Sequence, residues 1–133
     1  MSGYWLVTRD RPGLVAAVLP LLAGDARLVL EGNLSRCRFA AELSPSRVGD
    51  GRVVLPLSPA SVRPILDVIA PGALDRDIAR LTIEAGSRIL FQSDLDDPTR
   101  GAFVTADGVS QDFLFRLEVI GVIRTWAGTT EGP

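Results

Sequence analysis

Neither histidine nor lysine occurs in this chain, and all 14 of its positive side chains are arginine. Without histidine the usual neutral-pH acid/base and the commonest metal ligand are missing. Without lysine there is no Schiff-base amine and no phosphate-loop cation. The single Cys37 excludes an internal disulfide and a cysteine zinc site. An apolar run from Leu14 to Ala23, preceded by Arg9 and Arg11, has the outline of a signal peptide. Asp10 among the basic residues, Pro20 inside the run and the strand-like Tyr4-Trp5-Leu6-Val7 before it argue otherwise, and the run falls well short of the ~20 residues that cross a bilayer. A formal charge of -2 dictates no partner, and clustered positive charge of the kind that holds a phosphate backbone is absent. The expectation is a cytoplasmic protein with no cofactor, metal, nucleic acid or membrane partner.

What is present is the patterning of one globular domain. A chain of 133 residues with 47% hydrophobic and 23% charged residues can bury roughly two-thirds of its unfolded surface. The densest signal runs from Ile78 to Asp97. Ala79, Leu81 and Ile83 alternate with Arg80, Thr82 and Glu84, Gly86-Ser87 supplies a turn, and Ile89, Leu90 and Phe91 resume an apolar strand. The parity puts Leu81, Ile83 and Phe91 in the core.

Around this hairpin the spacing predicts strands at Tyr4–Thr8, Ala26–Glu31, Arg36–Leu43, Arg52–Leu57, Ala102–Thr105 and Val122–Trp126. Ser44 to Gly51 reads as a loop, and Pro56 as the end of its strand or an edge position. One helix is expected with Pro12 in its first turn, Leu14, Val18, Leu21 and Leu22 on one face and a kink or early end at Pro20. A second follows Ser61 on the stripe Val62, Ile65, Leu66, Ile69 and stops at Pro71-Gly72. A third follows Ser110, ended by Gly121 in the left-handed conformation. The fold class is therefore α+β: a single domain over 1–126, a mostly antiparallel sheet of six to eight strands with two or three helices on one face, and a flexible tail over 127–133.

The acids Asp94, Asp96 and Asp97 follow the hairpin and are closed by Pro98 and Gly101. The run Asp94 to Thr99 resembles the opening motif of haloacid-dehalogenase-type phosphatases, but Thr99 stands one position late and that family's later lysine has no counterpart here. Nor does the loop have the ligand spacing of an EF-hand. Loops at strand ends present charge to partners, so Asp94, Leu95, Asp96, Asp97 and Arg100 are the expected partner-binding residues, facing a protein with a basic surface.

Asp10-Arg11-Pro12-Gly13-Leu14, between a strand and a helix, is similar to the strand-to-helix turn of ACT domains. That resemblance implies an amino acid bound at Asp10, Arg11 and Gly13, with its carboxylate at the helix N-terminus. Arg27, Arg36, Arg38 and Arg52 share the outward parity of a sheet face but lack the interleaved aromatics of an RNA platform. Cys37 reads as a buried small hydrophobe. The reading favoured by these features is a small non-enzymatic protein-binding module of the inhibitor or immunity-protein type. The alternatives are an ACT-like amino-acid-binding regulatory domain and, third, a carboxylate-based hydrolase.

Overall fold

Alternating segments become strands where they find neighbours to pair with, and in the computed structural model, which describes residues 3–49, 51–95 and 101–133, eight do so. They are β1 (Gly3–Thr8), β2 (Ala26–Gly32), β3 (Ser46–Val48), β4 (Arg52–Leu57), β5 (Ile78–Ala85), β6 (Arg88–Asp94), β7 (Ala102–Thr105) and β8 (Ile123–Thr129). All pair antiparallel in one sheet of order β3-β4-β2-β5-β6-β7-β1-β8. Four helices, α1 (Arg11–Leu22), α2 (Val62–Ile69), α3 (Ala73–Arg76) and α4 (Gln111–Val119), contribute to a core on one face. This is the expected α+β domain, with one helix more than expected in the short turn α3. Among the described residues no helix is long and apolar enough to cross a membrane.

The core face takes alternate residues of each strand: Leu28 and Leu30 of β2, Leu81 and Ile83 of β5, Phe91 of β6, Val104 of β7 and Leu6 of β1. Onto it α1 lays Leu14, Val15, Val18, Leu19 and Leu22. Leu21, expected on that face, is exposed, because the buried arc is centred on the i, i+1, i+4, i+5 positions instead. Pro20 lies within α1 and falls only in its last turn. Asp10 caps this helix, its Oδ1 accepting from Gly13 N at 3.0 Å. Changing Asp10 to Ala is expected to cost about 1 kcal/mol of stability, read as a shift in the denaturation midpoint.

The other face carries a row that crosses all eight strands by direct pairing: Ser46, Val54, Val29, Thr82, Gln92, Phe103, Trp5 and Ala127. Val29 and Phe103 are buried here, outside the main core. Beside the row runs an alternating ladder, Arg52 opposite Glu31, Glu31 opposite Arg80 and Arg80 opposite Asp94. Arg27 likewise pairs with Glu84 at 2.8 Å. The arginines that share this outward parity are thus interleaved with acids, which denies the face a basic field.

Two expected boundaries moved. No strand forms over Arg36–Leu43: Leu34 and Cys37 are buried by a turn in which Cys37 N donates to Leu34 O, and the Arg47 guanidinium donates to the carbonyls of both. With those acceptors taken from the side, the ladder partner becomes Ser46–Val48, inside the expected loop. Because β3 pairs only as far as Val54, Pro56 of β4 lies beyond it, where a missing N–H costs nothing. At the other end β8 reaches Thr129, so residues 127–129 are strand rather than tail: Ala127 pairs with Trp5 and Thr129 with Gly3. Gly132 then lies over the Phe103 ring.

Candidate functional site

Antiparallel order brings the ends of β1 and β6 and the start of β7 to the same end of the sheet, and α1 begins there. Arg9 N and Asp10 N both donate to Val122 O, at 2.9 and 3.0 Å, which ties the lead-in of β8 to this end as well. Gly101 has a φ of 72°, and a Cβ on it would run into the Leu6 carbonyl oxygen, so only glycine lets the chain return to β7 this closely. Between these segments opens a cleft of about 260 Å³, lined by Thr8, Arg9, Arg11, Asp75, Ser93, Asp94, Leu95 and Gly101.

Arg11 forms its floor. It occupies the first turn of α1 yet is only 8% exposed, which is rare for arginine. Its Nε donates to Ser93 Oγ at 2.8 Å. One terminal nitrogen donates to Ile78 O at 2.6 Å and to Leu74 O, and the other to Ser93 O at 3.1 Å and Ala79 O at 3.3 Å. A guanidinium has five N–H donors, and five protein acceptors are in place around this one. Such completeness is what makes a buried cation tolerable. The result is a staple joining α1 to the α3–β5 connection and to β6. Sequence gave no signal for it, since every acceptor lies 63 to 82 residues away and four of the five are backbone carbonyls.

This geometry reassigns the turn that resembles an ACT domain's. Arg11 donates inward to the protein's own acceptors. The N-terminus of α1 is filled by the Asp10 carboxylate, which a Cβ on Gly13 would strike. The small residue at 13 thus accommodates the chain's own cap.

Of the five residues expected to meet a partner, Asp94 and Leu95 sit at the mouth of the cleft, and Asp96, Asp97 and Arg100 lie outside the described residues. Asp94 Oδ2 accepts from Arg80 at 3.1 Å, the cross-strand pair of the register. Leu95 N donates to Ala79 O at 2.7 Å, fixing the backbone while the side chain remains 41% exposed.

Thr8 Oγ1 is buried with no hydrogen-bond partner among the described residues. Ser93, the cleft's other hydroxyl, accepts from Arg11 Nε and has no imidazole or amine to activate it. Among the described residues no three of His, Cys, Asp and Glu gather to hold a metal ion. Cys37 is buried and does not line the cleft. Burial pushes its thiol above the ordinary value, Asp77 adds to the rise and Arg47 opposes it, so the sulfur stays protonated and packs as a small hydrophobe. No protein-family model, curated protein or solved structure matches this chain.

Proposed function

We propose that this chain is a non-enzymatic protein-binding module of the inhibitor or immunity type, working in the cytoplasm and docking its partner on the rim of the Arg11-floored cleft. The observation that carries the reading is Leu95, an exposed leucine at a cleft mouth whose backbone is hydrogen-bonded to β5 and whose floor is stapled by five hydrogen bonds. An apolar anchor held on a rigid support binds with little ordering cost. Asp94, with Asp96 and Asp97 next in sequence, supplies rim charge that suits a basic surface and speeds encounter. The amino-acid-binding alternative is the less favoured reading, since Arg11 donates to internal acceptors and Asp10 accepts from Gly13 N at the helix N-terminus.

The test begins with the partner recovered on the tagged chain from the cells that make it, followed by kinetics with that purified partner. Leu95→Ala is expected to speed dissociation roughly tenfold, about 1.4 kcal/mol. Changing Asp94, Asp96 and Asp97 together to Asn should slow association and flatten its dependence on salt while leaving the circular dichroism spectrum unaltered. Unchanged kinetics for both variants at low salt would remove the rim from consideration.

A further inference from the structure

We propose that the chain forms a symmetric homodimer in which β8 pairs antiparallel with β8 of a second copy, joining two eight-stranded sheets into one of sixteen. This goes beyond the reading of the cleft rim and uses a different surface.

The two edges of the sheet are built differently. β3 is three residues long and carries Arg47, the short charged form that resists pairing. β8 is seven residues long, IRTWAGT, with one charge and no proline, and no strand covers its outer side among the described residues. The chain beyond it turns away, as Thr129 Oγ1 accepts from Glu131 N and Gly132 settles over Phe103 on the helix-free face. Its one guard is Arg124, which sits at the register shift against β1 near the start of the strand, so the regular stretch Thr125–Thr129 is the template the edge offers another strand.

Next to this edge α4 exposes apolar side chains where a lone helix would carry polar ones. Phe115 is 53% exposed, Val119 84% and Ile120 69%. Phe115 stands edge-on to Trp126, with ring centroids 5.3 Å apart, so the helix patch and the strand form one surface. These three side chains leave on the order of 300 Å² of apolar area in water, the size of the largest patches seen on monomers. Added to a strand edge about 23 Å long, this is a substantial part of the roughly 800 Å² per partner that a stable complex buries.

The occupant is a second copy because the surface complements itself. From Gln111 to Thr129 the charges are Asp112, Arg116, Glu118 and Arg124, two acids and two bases, so the surface is neutral and does not repel its own copy. Trp126 is the middle residue of β8, and full overlap about a two-fold axis sets it opposite itself. Thr125 then meets Ala127, and the strand's single charge, Arg124 at the bulge, lies toward one end of the ladder away from its own symmetry mate, so no like charges face each other. Both copies of α4 lie on the same face of the joined sheet, where the Phe115 patches approach across the axis.

Sedimentation equilibrium on the full chain from micromolar to millimolar concentration tests this. The expected result is a reversible monomer–dimer equilibrium at twice 14.2 kDa, with amide exchange across β8 slowing as the dimer fills. The double variant Val119→Arg with Ile120→Arg, at exposed positions that leave folding intact, is expected to weaken the dimer at least about 100-fold. A chain that stays monomeric at millimolar concentration overturns the proposal. So does a dimer indifferent to the double variant, or a series of growing oligomers, the mark of β8 pairing with another edge. None of these outcomes touches the Leu95 kinetics, so the two proposals fail separately.

Discussion

Arg11→Met will lower the stability of the fold by about 3–5 kcal/mol, because it strands buried acceptors that each cost about 1–3 kcal/mol when left without a donor. Leu74 O, Ile78 O, Ser93 O and Ser93 Oγ all receive hydrogen bonds from this guanidinium, and methionine fills its volume while satisfying none of them. Arg11→Lys should recover only a small part of the loss. An ammonium has three donors on one atom and cannot reach acceptors spread around a planar fork. Urea midpoints followed by circular dichroism measure both variants. A methionine variant within about 1 kcal/mol of the parent would mean that water replaces the guanidinium and that the staple is dispensable.

Phe91→Ala is the second large effect, at about 3–5 kcal/mol. Phe91 is fully buried on β6, paired with Ile83 on one side and Val104 on the other, so its ring lies in the middle of the sheet's core face. Neighbours on strands held from both sides cannot collapse into the cavity, which places the cost at the upper part of the range. Phe91→Leu keeps most of the volume and should cost less than half as much. A midpoint shift of under 1 kcal/mol for the alanine variant would show that the ring is not part of the core.

The hairpin and its core residues were legible in the sequence because each strand announces its own face by parity, and that information is local. Ser110 and Gly121 were legible for the same reason: the Ser110 hydroxyl accepts from Phe113 N at 3.2 Å, and Gly121 has a φ of 83° at the end of α4. What the sequence could not show was competition between partners. Cys37, Phe39, Ala41 and Leu43 alternate as well as any strand here, yet Ala41 is exposed and the segment forms a turn and then a 3-10 helix over Ala41–Leu43, with Arg47 bound to the carbonyls of Leu34 and Cys37. Burial of Arg11 was invisible in the same way. Parity and the strand-end position placed Asp94 and Leu95 at the end of β6, whereas the cleft they line depends also on Gly101, Thr8 and Asp75, which come together only through the sheet order.

That sheet order also fixes when the molecule can close. β1 is translated first and α1 carries the chain straight across to β2, four places away in the sheet, so β1 has no strand beside it until β7 and β8 have been made. β2, β4, β5 and β6 are neighbours of near neighbours in the chain and can assemble while synthesis continues. The pairing of Gly3 with Thr129, by contrast, joins nearly opposite ends of the described chain. β1 therefore has no strand to pair with until β7 and β8 emerge, whereas α1 can already pack against α3 and β5, where Arg11 finds Leu74 O and Ile78 O. A topology so dominated by distant pairings places the folding time toward the millisecond-to-second range.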